Sequence, residues 1–277
     1  MIETSLCVTS YNRPKKLKEV LRSFFVTNLY DLDKIELIIV DNGSINSEVT
    51  DFIKSYTPNC KYSYILNERN DYPNCLRYSK IQAREIADGE FFIDCPDDHL
   101  FVAKVPWISQ CIERIKSEQT VGCINYFAFP DYRFEKSNNK MTVDERNPNF
   151  CVSHYKGYSD FHIMSRSTYE KIGPYKHELG RGAEGEYMER SYKMGYFRNL
   201  MMKPVAICMD DGKFGEGPFG YRLLNPVDED YYNNDFIPWF RNSPWGQNRA
   251  HLPIQNEGLV TYCRLPSGNQ RIEVRNE

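Results

Sequence analysis

The sequence lacks the marks of several protein classes. Its nine cysteines include no pair spaced as Cys-x-x-Cys, which disfavours a zinc ribbon or a thioredoxin-like motif. No apolar run approaches the about 18 residues of a membrane-spanning helix, and no basic start followed by an apolar stretch marks a signal peptide. The net charge is −3 and the pI is near 6.0, whereas nucleic-acid-binding domains usually have a pI above about 9. We therefore expect a cytoplasmic protein with free thiols and no nucleic-acid partner, and peripheral contact with a membrane stays open.

A glycine-rich turn is also absent after the first strand-like segment. Residues 5–11 (SLCVTSY) are apolar and β-branched, and the sequence Asn-Arg-Pro follows them. A dinucleotide-binding fold needs glycines at this turn so that the backbone can approach a pyrophosphate. A nicotinamide-dependent oxidoreductase is therefore disfavoured.

The first half contains a regular alternation of two patterns. Apolar, strand-like runs occur at 5–11, 35–41, 61–66, 90–94 and 121–128. Apolar residues at helical spacing follow Pro14 and recur at 46–56, 74–88 and 104–117. The run 35–41 (IELIIVD) is apolar almost throughout, which is typical of a parallel strand buried on both faces. The alternation predicts a doubly wound α/β fold, with a mostly parallel sheet flanked by helices and with ligands bound beyond the carboxyl ends of the strands.

The second half is less regular. The polar segment 131–150 predicts a loop, and we predict helices at 166–172 and 184–194 and a strand at 204–209. The last 65 residues hold 20 Gly, Pro and Asn residues, too many for long elements, yet they also hold 10 of the 39 aromatic residues. We expect an irregular aromatic arm over 213–277 that packs on the domain, on a second subunit or over a ligand site.

Polar clusters follow four predicted strands, at 9–13, 41–44, 94–99 and 210–212. Strand-to-helix turns use Asn, Asp, Gly and Ser for their geometry, so turn formation alone also explains each cluster. The third cluster is more specific because Asp94, Asp97 and Asp98 fall within five residues. Carboxylates this close repel unless a cation offsets them, and their oxygens suit Mg²⁺ or Mn²⁺. We predict a metal site at Asp97 and Asp98, whereas a single histidine such as His99 is more often structural.

Five segments in this order resemble the family 2 glycosyltransferases of the GT-A fold. They are LCVTSYNRPKKLKEVLRSF, ELIIVDNGS, ADGEFFID with CPDDHLF, SDFHIMSRSTYEKIGPY and GRGAEGEYMERSYKMGY, and the likeness covers about residues 4–212. The resemblance implies a GT-A (Rossmann-like) domain over 1–212, with a nucleotide-sugar-binding half at 1–128 and an acceptor or catalytic half at 129–212. The extension 213–277 follows this domain.

The resemblance implies where a nucleotide-sugar donor binds. The positions that hold the nucleotide in the family match Thr9, Tyr11, Arg13, Asp41 and Asn42. The basic segment 74–88 would lie near the donor sugar through Arg77, Lys80 and Arg84, although a solvated helix face explains these three residues equally well. A UDP-sugar is the favoured donor, and guanosine and thymidine donors are the alternatives.

The metal motif of the family departs from its usual form here. Its Asp-x-Asp pattern falls on Cys95, Pro96 and Asp97, so the first acid is missing. Asp98 matches a frequent additional acid, and Asp94 is a candidate substitute for the missing one. Asp211 falls where many relatives carry a histidine that completes the metal site. The resemblance therefore implies Mn²⁺ or Mg²⁺ held by Asp97, Asp98 and Asp211.

The general base of the family matches Glu184, with Glu186 as the second choice. Both acids open a predicted helix, where the helix dipole alone also favours negative charge. The implied activity is that of an inverting, metal-dependent hexosyltransferase of glycan biosynthesis, acting on a glycan, glycolipid or glycoprotein hydroxyl. An inactive relative that only binds the nucleotide sugar or a glycan is the alternative.

Two regions remain as candidate acceptor contacts. Tyr158, Ser159 and Asp160 lie in a polar, aromatic segment after the nucleotide-binding half. Within the arm, a sugar ring would stack well on an aromatic platform or lid made of Tyr231, Tyr232, Trp239 and Trp245. A packing arm, or one that joins two copies into a homo-oligomer, explains the same aromatic residues.

Overall fold

A nine-stranded sheet forms the centre of the described part of the chain. The computed structural model describes residues 1–70, 75–101, 104–126, 141–143, 147, 149–153, 162–176, 178–179, 183–201 and 205–208. The predicted arm 213–277 lies outside these residues. None of the helices within these ranges is long and apolar enough to cross a bilayer.

The strands alternate with helices over the first 125 residues, as predicted. The strands are β1 (Thr4–Ser10), β2 (Ile35–Asp41), β3 (Lys61–Leu66), β4 (Phe91–Pro96), β5 (His99–Phe101), β6 (Val121–Asn125), β7 (Met141–Val143), β8 (Phe150–Ser153), β9 (His162–Ser165), β10 (Phe197–Met201) and β11 (Ala206–Cys208). The helices are α1 (Pro14–Thr27), α2 (Ser47–Ser55), α3 (Cys75–Ile86), α4 (Trp107–Ser117), α5 (Arg166–Ile172) and α6 (Ala183–Lys193). A short 3₁₀ helix, Leu32–Lys34, precedes β2.

The main sheet has the order β3-β2-β1-β4-β9-β6-β10-β8-β7. Strands β8 and β9 run antiparallel to their neighbours, and the other strands of this sheet run in one direction. Strands β5 and β11 form a separate antiparallel pair. The mostly parallel α/β sheet predicted from the alternation is therefore confirmed.

Helices cover both faces of the sheet, which is why nearly every residue of the central strands β1, β2 and β4 is buried. Side chains from alternate positions of β1, β2 and β4 enter two separate hydrophobic clusters. Helices α1, α2 and α4 pack into one cluster, and α3, α5 and α6 pack into the other. The three residues Leu37, Ile38 and Ile39 illustrate this, because the outer two belong to the first cluster and Ile38 to the second.

Four strands of the second half, β7 to β10, were not predicted, and one prediction there needs correction. Strand β10 includes Arg198 and Asn199, both buried, so its polar letters hid the strand pattern. The cost of burying the Asn199 amide is offset by Arg114 of α4, which donates two hydrogen bonds to its Oδ1, each of 3.2 Å. The segment 131–150, predicted as a loop, contains β7, which pairs with β8. The strand predicted at 204–209 is confirmed as β11, which pairs with β5 outside the main sheet.

Candidate active site

The carboxyl ends of β1, β2 and β4 meet at one edge of the sheet. The register places Ser10 beside Asp41 and Thr9 beside Pro96, so the loops that follow these three strands are neighbours. The three polar clusters predicted at 9–13, 41–44 and 94–99 therefore come together. Their side chains and those of α3 and α6 make up the candidate site.

The first two loops are joined by hydrogen bonds through Asn12. This residue has a φ of +55°, in the left-handed region that asparagine tolerates better than most residues. Its side-chain oxygen accepts from the backbone of Ile45 and Asn46 at 2.9 and 3.1 Å, and its backbone N–H donates to Ser44 Oγ at 2.8 Å. Asp41 in turn accepts from the backbone and the hydroxyl of Ser44. Asp41 is thus buried and fixed at the site edge.

Sequence reasoning missed Asn12 and Ser44 as parts of the site. The signal was present, since both stand inside the polar clusters, but their role depends on contacts between residues about thirty positions apart. Gly43 beside them has a φ of +77°, and a Cβ there would lie within 2.3 Å of the Arg69 backbone. Only glycine fits this turn without a backbone shift.

Among the residues predicted to hold the nucleotide, Thr9 lies near the end of β1, and Tyr11 and Arg13 lie in the loop that follows it. Thr9 is buried, and its carbonyl accepts a 3.0 Å hydrogen bond from the backbone N–H of Asp97. Tyr11 is 38% exposed, and its backbone N–H donates to Asp97 Oδ2 at 3.2 Å. This part of the first loop is therefore held against the acidic loop after β4.

Asp97 is the most enclosed acid of that loop. Its Oδ2 also accepts from Ser10 Oγ at 2.9 Å, while its Oδ1 lies 3.5 Å from Arg13 Nη1. Burial and the neighbouring Asp98 charge raise the pKa of Asp97 to about 7, although Arg13, Ser10 and Tyr11 act in the opposite direction. Asp97 is therefore a carboxyl group that a further positive charge would stabilise in its ionised form.

Asp98 has the features of a ligand for a hard cation. Its Oδ2 lies 3.5 Å from Arg13 Nη1, so the same guanidinium nitrogen stands near both carboxylates. Its Oδ1 is buried and accepts no hydrogen bond within the described residues, although His99 Nδ1 lies 3.3 Å away. Two adjacent carboxylates, one with an oxygen that accepts no hydrogen bond within the described residues, fit Mn²⁺ or Mg²⁺. Within the described ranges, no group of three or more His, Cys, Asp or Glu side chains is arranged to hold a metal ion.

The residue at the missing acidic position does not replace the acid. Cys95 is buried in the core, and burial raises the pKa of its thiol far above the usual value, so it stays protonated. Asp94 points to a different environment. Its Oδ2 lies 2.6 Å from Arg84 Nη2 and 3.5 Å from both Lys80 Nζ and His162 Nε2. The negative charge of Asp94 is thus balanced by basic side chains inside the protein.

The predicted donor residues Lys80 and Arg84 belong to this buried cluster. The Arg84 guanidinium lies over the rings of Tyr169 and Tyr175, at 4.4 and 5.3 Å from their centroids. Both basic side chains are almost fully buried, and Arg77 is nearly so. The solvated-face interpretation of α3 is therefore wrong for these three residues, because they lie against Asp94 of β4 or Glu184 of α6.

Arg77 and Glu184 form a buried ion pair between α3 and α6. Arg77 Nη2 lies 3.0 Å from Glu184 Oε2, and the Glu184 side chain is 4% exposed. Two residues after Arg77, Ser79 donates a hydrogen bond to the side chain of Asn42, which follows β2. This contact places the start of α3, and with it Glu184, at the carboxyl edge of the sheet.

Glu186 is engaged quite differently. Its two oxygens each accept a 3.0 Å hydrogen bond from Arg190, and Lys176 Nζ lies 3.1 Å from Oε1. Arg190 also donates to the carbonyls of Ile172 and Pro174, which joins α6 to the end of α5. This geometry favours a structural role for Glu186. The remaining candidates, Asp211, Tyr158, Ser159 and Asp160, lie outside the described residues.

Solved structures with a similar fold include two of TarS and one of a mannosyltransferase. TarS from S. aureus matches with a TM-score of 0.57 and 14% identity, over 75% of this chain and 36% of TarS. A TarS structure in complex with UDP-GlcNAc matches with a TM-score of 0.57 and 15% identity, over 75% of this chain and 58% of that one. The mannosyltransferase PcManGT from Pyrobaculum calidifontis, in complex with GDP-Man and Mn²⁺, matches with a TM-score of 0.57 and 16% identity. The match covers 76% of this chain and 58% of PcManGT. The fold is that of the GT-A glycosyltransferases, and the chain spans only a third to three fifths of these proteins.

The family follows from the sequence match. The model of Glycosyl transferase family 2 matches residues 5–175, and the chain belongs to this family. The family predicted from the sequence motifs is thereby confirmed, and the match covers the first four of the five motifs, since the fifth lies at 180–196. Among curated proteins, none matches the chain.

Proposed function

We propose that this protein is a metal-dependent, inverting glycosyltransferase that moves a sugar from a nucleotide-diphosphate sugar to an acceptor hydroxyl of a glycan. The observation that carries the proposal is the burial and the hydrogen bonding of the Glu184 carboxylate. Its carboxylate is buried at the start of α6, one oxygen is held by Arg77, and Oε1 has no hydrogen-bond partner within the described residues. A general base needs such an oxygen within reach of the proton that it removes.

The donor would lie across the loops that follow β1, β2 and β4. Asp41 is the candidate partner for an imide N–H of the base, because each carboxylate oxygen can accept more hydrogen bonds than the one from Ser44. The UDP-GlcNAc and GDP-Man complexes of the structural neighbours support a nucleotide-sugar donor, and we favour a UDP-sugar. Contacts of Tyr158, Ser159 and Asp160 with the acceptor, and an oligomer formed through the arm 213–277, stay predictions.

A divalent ion would be held by Asp97 and Asp98, and the Mn²⁺ in the PcManGT complex supports this. When bound, such an ion offsets the charge that develops on a diphosphate leaving group. Arg13 lies near both carboxylates and is the residue of this chain best placed to contact the diphosphate as well. Glu184 would take the proton of the acceptor hydroxyl, which then attacks the anomeric carbon from the face opposite the diphosphate and inverts its configuration.

The test of this proposal is the release of UDP or GDP from a panel of nucleotide sugars with Mn²⁺ present. Asp97→Asn should lower kcat/KM for the sugar that turns over on the order of 10²- to 10³-fold, because charge stabilisation of the leaving group would be lost. Asp51→Asn removes an exposed carboxylate on α2 and serves as the matched control. An unchanged rate in Asp97→Asn would exclude the metal assignment.

The alternative, an inactive relative that binds nucleotide sugars, is favoured by Cys95 in the first acidic position. It predicts Mn²⁺-dependent binding of the nucleotide diphosphate in a calorimeter but no turnover of any sugar in the panel. The proposed enzyme gives both signals, so the two candidates are separated by the same samples.

Asp41→Ala should raise the donor KM on the order of 10-fold with little change in kcat, because it removes a charged hydrogen-bond partner of the base. Steady-state kinetics over a range of donor concentrations measure this effect. Ser44→Ala is the control, since it loosens the same turn but keeps the carboxylate. An equal rise in KM in Ser44→Ala would assign Asp41 to the turn and not to the base.

A further inference from the structure

Two glutamates open helix α6, and an arginine pairs with each of them in a different way. Arg190 lies on the same helix as Glu186 and donates two hydrogen bonds to it, one to each carboxylate oxygen. Arg77 comes from α3, on another part of the chain, and its Nη2 lies 3.0 Å from Oε2 of Glu184. The first arrangement uses both oxygens, whereas the second leaves Oε1 without a hydrogen-bond partner within the described residues.

The pair between Arg77 and Glu184 is also more deeply buried. The side chains of Arg77 and Glu184 are 11% and 4% exposed, against 23% for both Arg190 and Glu186. A buried carboxylate is costly to keep charged, and without a nearby cation it tends to take up a proton. The other two buried basic residues of α3, Lys80 and Arg84, lie beside Asp94. Arg77 is therefore the described cation that is placed to hold Glu184 in its ionised form.

We propose that Arg77 is a positioning residue for the general base: it fixes the Glu184 carboxylate through Oε2 and directs Oε1 to the acceptor. This inference rests on the proposed function, in which Glu184 removes the acceptor proton. It replaces the expectation that Arg77 contacts the donor sugar. The arginine does not react, and it acts only by orienting Glu184 and by stabilising its negative charge.

The location of the pair supports this role. Ser79 of α3 is hydrogen bonded to Asn42, so the first turns of α3 are fixed to the loop after β2. Arg77 thus connects the nucleotide-binding edge to the helix that carries the base. The N-terminus of α6 adds a favourable dipole for the carboxylate. Glu186, the other acid of this turn, is neutralised by Arg190 and Lys176 and so adds little repulsion.

The test compares Arg77→Met and Arg77→Lys with the unchanged chain, using nucleotide release from the sugar that turns over in the panel, with Mn²⁺, from about pH 4 to 9. Arg77→Met should lower kcat on the order of 10- to 100-fold near pH 7 and leave the donor KM within about twofold. Its acid limb should move to higher pH, because removal of the cation raises the pKa of the base. Arg77→Lys keeps the charge, so it should retain the original acid limb and recover part of kcat.

Arg190→Met is the matched control, since it breaks the other arginine–glutamate pair of α6 outside the catalytic machinery. We expect it to lower the melting temperature and to leave the pH profile unchanged. A wild-type kcat and pH profile in Arg77→Met would overturn the positioning role, and so would a change confined to KM, which would return Arg77 to the donor. A wild-type chain that turns over no sugar would instead overturn the proposed function, and the role of Arg77 with it.

Discussion

Glu184→Gln is expected to lower kcat for sugar transfer on the order of 10²- to 10⁴-fold, the usual contribution of a general base. The amide keeps the size of the side chain, and its oxygen can still accept from Arg77, so the fold and donor binding should stay intact. It has no basic oxygen for the acceptor proton at neutral pH. The measurement is kcat and donor KM with Mn²⁺ present, together with nucleotide affinity by calorimetry.

Glu186→Gln is the control that the chain itself offers. Both oxygens of Glu186 are engaged by Arg190 and Lys176, so this change should affect stability more than kcat. A loss of kcat in Glu186→Gln equal to that in Glu184→Gln, or no loss in the latter, would contradict the assignment of the base.

Asp94→Ala is expected to lower the free energy of unfolding by about 3–5 kcal/mol, because it leaves buried cations without their anion. Arg84, Lys80 and His162 all lie within 3.5 Å of Asp94 Oδ2, and each is buried. Urea denaturation followed by circular dichroism measures the loss. Asp88→Ala removes an exposed carboxylate and its surface pair with Lys61, so it should cost much less stability than Asp94→Ala.

The cluster of Asp94, Arg84, Lys80 and His162 makes the stability difference between the wild type and Asp94→Ala depend on pH. Burial alone would raise the pKa of Asp94, but the charges of Arg84, Lys80 and His162 outweigh it, and the pKa is lowered from its ordinary 3.8. A group with a lowered pKa contributes its full stability above its unfolded pKa and loses it as the pH falls through the folded value. The difference between the wild type and Asp94→Ala should therefore shrink below about pH 4. A difference that is constant down to pH 2 would contradict the role of the charge, as would equal costs for Asp94→Ala and Asp88→Ala.

The edge of the sheet was predictable because it depends on local patterns. Runs such as IELIIVD identify buried parallel strands, and parallel strands bring their carboxyl ends together whatever their order. The meeting of Ser10, Asp41 and Asp97 followed from this rule alone. The contacts of Asn12 did not, because they depend on the exact path of two loops.

The basic residues of α3 show the limit of sequence reasoning most clearly. Arg77, Lys80 and Arg84 are spaced at i, i+3 and i+7, which places them on one helix face, next to the buried Ala83 and Ala87. That spacing was a sign of burial, but it does not name the partners. Asp94 and Glu184 lie 10 or more positions further along the chain, on a strand and on another helix, so the pairing depends on the tertiary fold.

The position of β9 has a consequence for how this protein can be divided. This strand comes from residues 162–165 but stands between β4 and β6, and it pairs with both. A fragment that ends near residue 128 would therefore hold β4 as an open edge and leave β6 with no neighbour to connect it to the sheet. Exposed edges of this kind favour aggregation. We therefore expect a fragment of residues 1–128 to aggregate, and a truncation made to study donor binding should retain the chain through β9.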